Sequence, residues 1–209
     1  MKMRFLDVRN QLRDVTMFSL LDLRKIESGF DRRRLVEWQK KGYIKKIIRN
    51  FYVFSDQEIT EPALFVIANT VYSHSYISFE MALTHYQLIP ESVYGITSAA
   101  TKKTTMLKTP LGNFIYRSLK PELFFGYVPI PFQNQRYLIA EPEKALLDFF
   151  YLNPTVLNDD DFAGLRINQD EFSAKINQEK LEKYLSVFDS PTLKKRVLKF
   201  IEFIRHADI

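Results

Sequence analysis

DRRRLVEWQKKGYIKKIIRNFYVF, residues 31–54, decides how the rest of this chain is read. Asp31 suits a helix N-cap, because its carboxylate can accept hydrogen bonds from the free N–H groups of a first turn. Leu35, Trp38 and Gln39 then recur at the i, i+3, i+4 spacing of a core-facing stripe. Arg33, Glu37, Lys40 and Lys41 fall on the opposite side, with Arg34 at the border. Gly42 fits the left-handed position that ends a helix. Residues 43–48 and 51–54 are β-branched and aromatic runs around Arg49-Asn50, the pattern of a hairpin. A basic helix followed at once by a basic two-stranded ribbon predicts a winged helix-turn-helix and, with it, DNA binding.

The residue types in that segment suit a duplex. An α-helix fits the major groove, where each base pair shows its own donor and acceptor pattern. Arg33 and Arg34 stand near the helix start, where a recognition helix usually contacts base edges. Their guanidinium forks match guanine O6 and N7, and Glu37, one turn on, matches a cytosine amino group. Lys40, Lys41, Lys45, Lys46 and Arg49 are expected on phosphates, giving affinity and register. Arg32 and Asn50 complete the expected DNA-binding set. The bland alternative is a solvated basic helix face. Trp38 lies on the apolar stripe, which favours a core position over base stacking.

Charge supports a division of the chain. Residues 1–55 hold 14 Lys and Arg against 6 Asp and Glu, whereas the remaining 154 residues hold 16 against 19. A basic head on a slightly acidic body predicts a DNA-binding domain over 1–56 and a second, α+β domain over 57–209. A hydrophobic content of 46% is that of a chain with a real core, and the absence of cysteine excludes disulfides and thiolate chemistry. The start, MKMRFLDVRNQLRD, lacks the apolar region of a signal peptide. The longest stretch free of Asp, Glu, Lys and Arg, residues 62–79, is too polar for a membrane span. The expectation is a soluble, cytoplasmic protein without a membrane partner.

In chain order, residues 3–13 predict a first helix. Ser19 and Asp22 form a capping-box-like pair opening a second. Phe30, Trp38, Tyr43 and Tyr52 are expected in the small core of this head. Asp56-Gln57-Glu58 is a polar joint. Thr60 caps a helix striped by Ala63, Leu64, Ile67, Ala68 and Val71, and Ser78 caps another that Pro90 closes. Four short strand-like runs follow: SVYGITSA, GNFIYRSL, LFFGYVPI and RYLIA. They predict a small, mainly antiparallel sheet with Pro129 and Pro131 at its edge. EPEKALLDFFYL reads as a helix supported by Lys144 and Asp148 at i, i+4. A short helix near 160–165 and two longer ones, 177–188 and 191–206, end the chain. The last carries Leu193, Val197, Phe200, Ile201 and Ile204 as its stripe.

Three motifs in this order, KKGYIKKIIRNFYVF, YISFEMALTHYQLIPE and EPEKALLDFFYL, resemble the AbiEi-type antitoxin family of type IV toxin–antitoxin systems. Ser78, Ala82 and Leu83 match the second motif, although Gln87-Leu88 replaces its glycine-leucine. Pro142, Glu143, Ala145, Leu146, Leu147 and Asp148 match the third, although Glu141 replaces its threonine. Arg49-Asn50 stands where the wing usually has arginine-glycine. The resemblance implies a repressor that autoregulates its operon by binding double-stranded DNA at inverted repeats in its own promoter, where a dimer would match the two-fold symmetry. It also implies a body that counters a nucleotidyltransferase-like toxin. The competing class is an adaptor whose basic winged-helix head binds nucleic acid or protein, with no toxin partner.

An enzyme is the less favoured class. The six glycines are never closer than 13 residues, so there is no phosphate cradle. His74, His85 and His206 lack metal-ligand spacing, and Ser73-His74-Ser75 has no placed acid. Asp159, Asp160 and Asp161 read as the acidic first turn of a helix before they read as a cation site. Lys102, Lys103 and Lys108 form a second small basic group. No catalytic residue, metal or cofactor is expected.

Overall fold

A computed structural model describes residues 3–90 and 95–206. Its first element, α1 (Phe5–Gln11), is followed by a two-residue strand β1 (Phe18–Ser19), α2 (Leu20–Ile26), α3 (Arg33–Lys40), β2 (Ile44–Ile48) and β3 (Phe51–Phe54). Ser19 accepts a hydrogen bond from the Asp22 N–H while the Asp22 carboxylate takes the Ser19 N–H, so the expected capping box opens α2. The three strands form an antiparallel sheet in the order β1-β3-β2. Asn50 makes the hairpin turn at φ 71°, a left-handed conformation that asparagine tolerates.

This small sheet is covered on both faces. Phe18, Ile44, Tyr52 and Phe54 point to one side and join Val8, Leu12, Leu23, Phe30, Leu35 and Trp38 in a first core. Met17, Ile47 and Val53 belong to the larger core of the body. The register shifts between Lys46 and Ile48, the mark of a bulge. Gln135 of the body accepts the Thr16 N–H at 2.9 Å, so a polar contact also fastens head to body, and Arg9 holds Asp56 at the joint. Tyr43 departs from expectation. Phe30, Trp38 and Tyr52 are buried, but Tyr43 is 41% exposed and lies stacked on Phe5.

The body runs α4 (Glu61–Val71), β4 (Ser75–Ile77), α5 (Phe79–His85), β5 (Ile96–Ala100), β6 (Thr105–Thr109), β7 (Gly112–Ser118), a 3-10 turn (Pro121–Leu123), β8 (Tyr127–Phe132) and β9 (Gln135–Ala140). Five helices close it: α6 (Pro142–Leu152), α7 (Asp159–Gly164), α8 (Gln169–Lys175), α9 (Gln178–Val187) and α10 (Pro191–His206). The class is α+β, with a sheet that is larger and more mixed than predicted. Six strands lie in the order β6-β7-β5-β4-β9-β8. β5 pairs parallel with β7 and β4 with β9, while β4–β5 and the two outer hairpins are antiparallel. Pro129 and Pro131 lie on the edge strand β8, where a missing N–H breaks no ladder.

Five elements were not anticipated: β1, β4, β6, the 3-10 turn and α8. β4 hides in a Ser/His-rich stretch, and β6, Thr105-Met106-Leu107-Lys108-Thr109, breaks the polar/apolar alternation of a strand. Part of the first predicted strand run, residues 92–94, lies outside the described residues. α4 is buried nearly all round, at Ala63, Phe65, Val66, Ile67 and Ala68, because the sheet meets one side and the head approaches another. α5 ends early. Gln87 takes φ 60°, the conformation a glycine would hold without strain, and Leu88 folds back with its N–H on the Leu83 carbonyl. Among the described residues, no helix is long and apolar enough to cross a membrane.

Candidate nucleic-acid interface

α3 presents two faces of different chemistry. Asp31 accepts the Arg33 N–H at 2.9 Å, satisfying one free donor of the first turn as its carboxylate allows. At the other end Gly42 takes φ 71°, and Tyr43 donates its N–H to the Trp38 carbonyl, which turns the chain directly into β2. The inward face is Leu35, Trp38 and Arg34. The outward face is Arg33, Val36, Glu37 and Lys40, at the i, i+3, i+4, i+7 spacing of one helix side.

Arg34 corrects an expectation. It is only 9% exposed, and its guanidinium donates to Glu27 at 2.7 Å and to the Met3 carbonyl at 2.5 Å. The group lies over the Phe30 ring at 4.3 Å and near the Trp38 ring at 5.2 Å. All of these partners belong to the head. Arg34 is spaced i, i+4 from Trp38, so the same helical turn that buries the indole buries the arginine. It is a core residue and no base reader.

The other predicted residues are on the surface. Arg32, Arg33, Glu37, Lys40, Lys41, Lys45, Lys46, Arg49 and Asn50 are all exposed. Arg32, Arg33, Lys40 and Lys41 come from α3 and its caps; Lys45, Lys46, Arg49 and Asn50 come from the hairpin beside it. Among the described residues none of these cations pairs with a carboxylate. Elsewhere in the head Arg9 pairs with Asp56, Arg13 with Asp14, Lys25 with Asp22, and Arg34 with Glu27. Seven exposed cations without a carboxylate partner among the described residues therefore lie on α3, its caps and the hairpin, with Arg4 and Arg24 in the same state elsewhere in the head. β2 is an edge strand, which leaves Lys45 and Lys46 open to solvent although their neighbours Ile44 and Ile47 are buried.

A second polar constellation lies inside the body. Lys144 and Asp148, expected as a helix-surface pair, are both fully buried and form an ion pair on α6. The Tyr76 and Ser78 hydroxyls donate to the same Asp148 oxygen at 2.9 and 2.7 Å, and Lys144 donates to Tyr76 at 2.8 Å. Burial pushes the Asp148 carboxyl up and the Lys144 ammonium down, each opposed by its partner, and pushes the Tyr76 hydroxyl well up. Lys144 also faces the Tyr76, Phe125 and Phe188 rings, and Gly126 at φ 68° lies so close that an added Cβ would meet Lys144 at 3.1 Å. With all four side chains closed off from solvent, this cluster fastens α6 to β4. One turn earlier, Glu141 binds Lys180 and Tyr184 of α9, while Glu143 accepts the Asn177 N–H at 2.8 Å.

Neither a protein-family model nor a curated protein matches this chain.

Proposed function

We propose that residues 1–56 are a winged helix-turn-helix domain that binds double-stranded DNA, and that the chain is a transcriptional repressor of its own promoter. The observation that carries this reading is the unpaired positive surface shared by α3 and the β2–β3 hairpin, set on a helix whose inner face is locked in a core. α3 enters the major groove with Arg33 on guanine O6 and N7 and Glu37 on a cytosine amino group. Arg32, Lys40 and Lys41 hold phosphates beside that groove. Lys45, Lys46, Arg49 and Asn50 hold the backbone along the wing, fixing register without reading sequence. The role against a nucleotidyltransferase-like toxin rests on the motif resemblance and is assigned to residues 57–209.

The test is duplex selection from a randomised pool, followed by titration at several salt concentrations. The expected result is a selected sequence bound in preference to a scrambled one, with log K falling at about 0.9 per neutralised phosphate against log salt. Arg33→Ala should erase most of that preference. Equal affinity for selected and scrambled duplexes would overturn the DNA-reading role, and a preference for single-stranded RNA would favour the adaptor class.

A further inference from the structure

On the outward face of α3, between Arg33 on one side and Glu37 and Lys40 on the other, stands an apolar side chain with no work in the core. Val36 is 50% exposed, while Leu35 beside it is 1% exposed and Trp38 6%. Helix stability does not account for it, since a β-branched residue is a poorer helix former than the Lys, Glu or Arg of its neighbours. The outward face from Arg33 to Lys40 runs about 10 Å along the axis, roughly three base pairs of a duplex. Val36 is therefore carried to base edges whenever Arg33 is.

We infer that Val36 reads the 5-methyl group of a thymine within about two base pairs of the guanine held by Arg33. The inference rests on the DNA-binding reading above and adds a base to it. The thymine methyl is the only alkyl group on the major-groove edges of the four bases, so it is the feature there that an alkyl side chain favours most. Valine in a helix holds essentially one χ1 rotamer, so its two methyls are already placed and little conformational freedom is lost on contact. Arg33, Glu37 and Lys40 around it satisfy polar edges and phosphates, and water is excluded from the methyl contact between them.

The experiment is a thermodynamic cycle on a duplex selected from a randomised pool, with deoxyuridine replacing each thymine in turn. That exchange removes the methyl and leaves every hydrogen-bonding group in place. At one position the wild-type chain should lose about three- to fivefold in affinity, the worth of one buried methyl. Val36→Ala, a surface change that spares the core, should lose a similar factor on the thymine duplex and nothing further on the deoxyuridine duplex. Full affinity for every deoxyuridine duplex, or independent losses from the two changes, would overturn this inference and leave the DNA-binding reading intact. Failure to select any preferred duplex would overturn both.

Discussion

The Arg34 guanidinium sits between Glu27 and the Phe30 ring, so removing it strands a half-buried carboxylate and opens an aromatic face together. Arg34→Ala should cost about 2–3 kcal/mol, measured as a shift in denaturant midpoint, and weaken DNA binding only through unfolding. Arg33→Ala should leave the midpoint within about 0.5 kcal/mol, as surface changes do, yet erase most of the selectivity among duplexes. Equal loss of stability for the two variants would contradict the assignment of faces. In the body, Asp148→Ala strands Lys144 and removes the acceptor of Tyr76 and Ser78. It should cost about 3–5 kcal/mol or prevent folding, whereas Tyr76→Phe should cost about 1 kcal/mol. What the residues alone made legible was the exposed charge. Burial of Arg34 and Lys144 was harder to read, because their local partners, Glu27 and Asp148, suit a surface pair equally well, and what encloses them, such as the Met3 carbonyl or the Tyr76, Phe125 and Phe188 rings, comes from other segments.

Among the elements, α3 and the hairpin were the most legible, since Asp31, Gly42 and Asn50 each fix a terminus or a turn by local chemistry. β4 and β6 were not. Their residues become strands because β5, β7 and β9 offer a ladder, and a stretch as short as Ser75–Ile77 carries no period of its own. The hairpin, with Lys45 and Lys46 on an open edge, should contribute to every duplex alike. Lys45→Ala with Lys46→Ala should lower affinity for selected and scrambled DNA by the same factor and reduce the salt slope by about 2. A change in selectivity would instead place those lysines on bases. The α6–α9 clasp carries a pH prediction. Burial acts to raise the Glu141 carboxyl, but hydrogen bonds from Lys180 and Tyr184 outweigh it and hold it below the ordinary 4.5. Burial acts to lower the Lys180 ammonium, yet Glu141 and Glu143 raise it above its ordinary 10.5. An acid whose pKa falls on folding stabilises the fold above its unfolded value and loses that contribution as pH drops through the folded one. Glu141→Gln should therefore lower the thermal midpoint at pH 7, with the deficit shrinking below about pH 4.5. A deficit constant down to pH 3 would show that the clasp does not depend on charge.

For the whole molecule, the small sheet of the head is held between its own helices and the body, so α3 and the hairpin are presented from a support covered on both sides. The split into a basic head and a slightly acidic body was visible in the charge count, but the joint at residues 56–58 gave no sign that Met17, Ile47 and Val53 would enter the body's core. Contacts between segments far apart in sequence leave no local pattern, so how the head and the body meet could not be read in advance. Other basic groups compete with α3 and the hairpin for DNA: Lys102, Lys103 and Lys108 on the body, and Lys194, Lys195 and Lys199 on α10. Amide chemical-shift perturbation on titrating a selected duplex into the full chain decides between them. The account predicts shifts concentrated at residues 32–41 and 45–50, with the body's lysines unmoved. Shifts centred on Lys102 and Lys103 or on α10, with α3 silent, would contradict it.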